Sequence, residues 1–132
     1  MVRGTTAQFK FSLPYNYDDL KSAEIVFWQS GNYGTTENPL PIRKSLEQCY
    51  GVEGTKELSV ALSPSETLRF SEKAKAKTQL RASTFEGICF ASKQEIITVY
   101  PSYDDSILDD VVPTPGGSQL GNWTVLDGGA IG

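Results

Sequence analysis

Few groups in this 132-residue chain could move a proton, attack a substrate or hold a metal. Histidine is absent, so a nucleophile activated by an imidazole base cannot be assembled. Three pairs of adjacent carboxylates occur, Asp18-Asp19, Asp104-Asp105 and Asp109-Asp110. Paired acids can serve glycoside hydrolysis or a calcium ion. Sequence neighbours on an extended chain point to opposite sides, however, and these pairs fall in turn-like or tail segments. They read as solvated charge, with calcium near Asp104-Asp105 as the alternative. Cys49 and Cys89 are too few for structural zinc without histidine. The opening MVRGTTAQFKF lacks the apolar block of a secretory leader, so both are expected as reduced, largely buried thiols. No glycine-rich phosphate loop and no HExxH pattern appears. No catalytic residue, cofactor or metal is expected, and the reading is a structural or binding role rather than an enzyme.

The residues suited to binding are more suggestive. Lys73, Lys75, Lys77 and Arg81 recur at even spacing, which on a strand places them on one face. Such a stripe could hold phosphate, an acidic glycan or an acidic partner, including the chain's own tail or a neighbour's. It is equally the pattern of an edge strand whose lysines block unwanted pairing. Tyr33 sits in the loop SGNYGTTENPLP and is the candidate for stacking on a sugar ligand, whereas Trp28 reads as sheet packing. Near the C-terminus, Trp123, Val125, Leu126 and Ile131 form an apolar end beyond the linker VPTPGG. That arrangement suits docking onto a partner surface; the other reading is that it folds back on its own body.

Charge divides the chain in the same place. The formal net charge is −4, and residues 101–132 hold five acids with no lysine or arginine. An acidic tail repels nucleic acid, and no apolar run approaches the roughly 20 residues that cross a bilayer, so neither nucleic acid nor membrane is an expected partner. The expected organisation is a body over 1–100 and an acidic linker with a docking tail over 101–132.

The elements that must position these residues are short strands. Gln8–Leu13 alternates, with Phe9, Phe11 and Leu13 on one side. Ala23–Gln29 is apolar on both faces and reads as a central strand. Ile42–Leu46 and Gln48–Val52 are weaker candidates, and Glu57–Leu62 alternates with Leu58, Val60 and Leu62 inward. Ser63-Pro64-Ser65-Glu66 combines an N-cap serine, a proline at the first position and a capping-box glutamate, so a short helix starts there and runs to about Phe70, with Leu68 toward the core. Lys73–Ser83 alternates, with Ala74, Ala76, Thr78, Leu80 and Ala82 on one face. Ile88–Ala91 and Gln94–Tyr100 follow, either as two strands or as one long strand with a bulge. About seven strands at this spacing favour an all-β sandwich or barrel.

Three stretches carry a resemblance. Arg3-Gly4-Thr5-Thr6, then Phe9–Leu13, then Leu20–Phe27 (LKSAEIVF) follow one another in an order that resembles small phage and prophage proteins of Gram-positive gut bacteria, and the N-terminal domain of phage baseplate upper proteins. Leu62–Phe70 and Gln79–Arg81 fit the same order. The resemblance spans about residues 3–100; the loop at 30–41 is longer than the usual hairpin, and nothing after 101 has a counterpart. It implies an immunoglobulin-like β-sandwich and a virion structural protein of tail, baseplate, neck or capsid decoration, made in the bacterial host cytoplasm. Such a protein would assemble with other virion proteins and copies of itself. A carbohydrate- or receptor-binding module that contacts a host glycan is the alternative function.

Overall fold

The computed structural model describes residues 1–31 and 39–112, and the backbone of 124–127. Alternating apolar segments become strands and lie in two sheets. One holds three strands, ordered β4 (Glu57–Leu62), β1 (Ala7–Ser12) and β8 (Thr124–Asp127). The other holds β3 (Ile42–Ser45), β2 (Leu20–Gln29), β5 (Ala76–Thr84) and β6 (Cys89–Ala91), with β7 (Glu95–Ile97) also paired to β5. The inward faces meet in one core. Phe9 of one sheet and Phe27 of the other lie 5.1 Å apart, ring centre to ring centre. Phe11, Ile25, Leu58, Leu62 and Leu80 are fully buried around them. The chain is thus an all-β sandwich with one short helix.

The predicted helix is α1 (Pro64–Thr67), and its capping box forms: the Glu66 amide donates to Ser63 Oγ at 3.3 Å, and the Ser63 amide donates to Glu66 Oε1 at 2.9 Å. Its buried residues are Pro64 and Thr67, and just past it Phe70 is buried while Leu68 is half-buried against Gly4. After its single turn the Glu66 and Thr67 carbonyls accept from the Arg69 and Phe70 amides, and Arg3 holds the chain that follows. Arg3 donates through Nε to Phe70 O at 2.6 Å and through Nη2 to Leu68 O at 3.2 Å. Gly4, at φ +77°, closes the turn that aims Arg3 there, and its amide donates to Thr67 Oγ1 at 3.0 Å. The Arg-Gly-Thr-Thr opening is therefore a clamp on α1.

Two sequence expectations are revised. Gln48–Val52 is not a strand. Leu46–Gln48 forms a 3-10 turn, and only Tyr50 bridges, to Ser59. Gly51 has a steric reason, since a Cβ there would overlap the Tyr17 ring. The second revision concerns β5, which is a central strand. It pairs with β2 from Ala23↔Ala82 to Gln29↔Ala76, and its other side is taken by β6 and β7. Ser92 separates β6 from β7 while keeping the line of bonds. Its amide donates to Leu80 O at 2.9 Å, and its Oγ accepts from the Leu80 amide at 3.0 Å. The two short runs are one interrupted strand.

Lys44 is the least expected core neighbour. It lies on the inward side of β3 beside Ile42 and is buried. A lysine tolerates that position only with a partner, and its Nζ sits 2.8 Å from the Glu66 carboxylate, the group that also caps α1. One ion pair thereby ties the five-stranded sheet to the helix.

Candidate functional site

The feature with most bearing on function is the side of β1 away from β4. One edge of β1 is covered by β4 in antiparallel register, Ala7↔Leu62 to Ser12↔Glu57. The other edge receives β8 in parallel, Phe9↔Thr124, Lys10↔Val125, Phe11↔Leu126 and Ser12↔Asp127. In the single chain, the surface on which residues 124–127 dock is thus their own body. Val125 and Leu126 are placed there by backbone register; Trp123 and Ile131 lie outside the described residues. A parallel partner requires a crossover of a dozen or more residues. Here everything from β2 to β7, and then the acidic segment and the linker, lies between the two strands in the chain.

The first part of that arm, residues 101–112, follows the body and is fixed at two points. The Asp105 carboxylate accepts from Arg3 Nη1 at 3.3 Å. Asp110 accepts from the Ser65 amide in the first turn of α1 at 2.9 Å, and this bond lowers the pKa of its carboxyl. Ser106 does the same to Asp104, through its hydroxyl and its amide. Along the arm Ile107 is half-buried, whereas the other apolar side chains face solvent. Tyr103 and Leu108 are wholly exposed, and Val111 and Val112 are about half exposed.

The basic stripe is not where its spacing placed it. Lys77 and Arg81 lie on the outer face of β5, but Lys73 and Lys75 belong to the turn before that strand. The edge-blocking role falls, because β5 is paired on both sides; alternation looks the same on a central strand with one solvated face. Among the described residues none of the four makes an ion pair, and the arm's acids do not reach them. Arg43 instead takes Glu24 at 2.9 Å. Beside Arg81 the outer face forms an open depression of about 570 Å³, bordered by Ser22, Glu24, Ser83, Cys89 and Ala91. Ser22 and Ser83 are hydrogen-bonded to each other at 2.6 Å, and no exposed aromatic ring lines it. Tyr33 lies outside the described residues.

The thiols separate by environment. Cys89 is exposed, contrary to expectation, because it falls on the solvent side of β6. Cys49 is half-buried, and desolvation pushes its thiol up to about 12 against the opposing pull of Lys44. At neutral pH it stays protonated and a poor nucleophile. Among the described residues no three acids or cysteines converge on a common point, and no helix is long and apolar enough to cross a membrane.

No family model, curated protein or solved structure matches the chain. The edge of β1 as the arm's acceptor is what sequence reasoning missed. The tail residues were singled out by composition, but nothing in their spacing names the strand they join.

Proposed function

We propose that the chain is a phage virion structural protein, working by assembly through its β-sandwich and its C-terminal arm rather than by catalysis. The observation that carries this reading is the β1 edge, which takes a strand brought from the far end of the chain. Strand addition is a docking mode in which the main chain supplies affinity and alternate side chains supply specificity. An arm fixed by Arg3 and Ser65, with Tyr103 and Leu108 left in solvent, suits a segment whose apolar side chains are covered in an assembly. The order of motifs from Arg3 to Phe27 supports a particle component, and the virion is the corresponding location.

The test is incorporation. Chains ending at Val112 and full-length chains are expressed during infection, and purified particles are probed for each. Full-length protein at fixed copy number, with the truncated form missing from particles although it folds, is the expected result. Equal incorporation of both forms, or absence of both, overturns the reading.

A further inference from the structure

We infer that β8 is an exchangeable strand: in the assembled state, residues 124–127 of one copy fill the β1 edge of a second copy in the same parallel register. This deepens the assembly reading and rests on it.

Three features lead there. The first is the acceptor. Without β8, β1 presents a row of unpaired amides and carbonyls from Phe9 to Ser12, and such an edge pairs with any strand that fits. A second copy carries the identical strand, so exchange preserves every backbone bond of the closed form. The second is reach. Eleven residues separate Val112 from Thr124. Extended, such a segment covers about 35–40 Å, close to the width of a domain of this size, so a neighbouring copy lies within range. The third is what the closed form leaves undone. Tyr103, Leu108, Val111 and Val112 stay exposed on the arm. Closure on the same chain benefits from an effective concentration of about millimolar. Exchange must offset that advantage with new contacts, and an arm crossing to a neighbour can bury those four side chains against it.

The register supplies the test. Lys10 and Val125 are register partners along the backbone, and Lys10 is only partly buried on the outer side of β1. In a full-length background with Cys49→Ala and Cys89→Ser, one chain carries Lys10→Cys and a second, of different tag size, carries Val125→Cys. After co-incubation at about millimolar concentration, comparable to the tethered strand, a short bis-maleimide is added. A chain carrying both substitutions controls for the closed pairing. The expected result is a cross-linked heterodimer from the mixed single variants. A cross-link confined to the double variant, within one chain, overturns exchange, as does no link in either sample. If exchange fails while truncation at Val112 still abolishes incorporation into particles, the arm docks on a different protein, and the assembly reading survives without the present one.

Discussion

The two sheets are closed in different ways. The five-stranded sheet is built from residues 20–97, and its centre, β5, has partners along both sides. The three-stranded sheet draws β1 from the start of the chain, β4 from the middle and β8 from beyond residue 123. Its last strand pairs over only four residues, and the closure entropy of a long connection weighs against it. The first sheet is a scaffold complete in itself. The second has β4 along one side of β1 over six residues and β8 along the other over four. One core thus carries a sheet whose centre is fully paired and a sheet whose margin depends on the far end of the chain.

The largest effect should come from the scaffold. Leu80 on β5 is fully buried, so Leu80→Ala should cost about 2–5 kcal/mol in denaturant unfolding; a loss no greater than for a surface change would remove β5 from its central place. Next is the tie between β3 and α1. Lys44→Met leaves the Glu66 carboxylate without its cation in a largely buried position, which should lower stability by about 2–3 kcal/mol, with recovery when Glu66→Gln is added. The third acts in the opposite direction. Thr78 is fully buried on β5, and its hydroxyl has no partner among the described residues. Thr78→Val keeps the shape and should stabilise by about 1 kcal/mol. Truncation at Val112 should be smaller still in global stability, but local in hydrogen exchange: β1 amides lose protection while the β2–β5 ladder keeps it. Uniform loss across both sheets would mean that they are not independent.

The smallest expected effect is on the arm itself. Asp110 ionises below the ordinary aspartate value because the Ser65 amide donates to its charged form. A depressed folded pKa means that the contact is complete above the ordinary value and is lost as pH falls through the lowered one. The Ser65 amide resonance should titrate in that acidic window, and Asp110→Asn should abolish the titration.

Much of the scaffold was legible beforehand because period-two alternation and capping chemistry are local. Phe9 and Phe11, Leu58 and Leu62, Ala76 to Ala82 and the Ser63–Glu66 box needed no knowledge of partners. What was not legible depends on neighbours across space. The lysines of the β5 region look the same whether that strand is an edge or a centre. Nothing in the sequence pairs Lys44 with Glu66, and Cys89 reads as core until its side of β6 is known. The site was legible in composition alone: an apolar end after a linker was visible, whereas the identity of its acceptor strand was not.

The interruption at Ser92 also bears on crowding. It divides the margin along β5 into runs of three residues each, and the opposite margin, β3, has four. Neither is long enough to seed side-by-side stacking between sheets. At high concentration the larger sheet thus lacks a margin long enough to gel into ribbons.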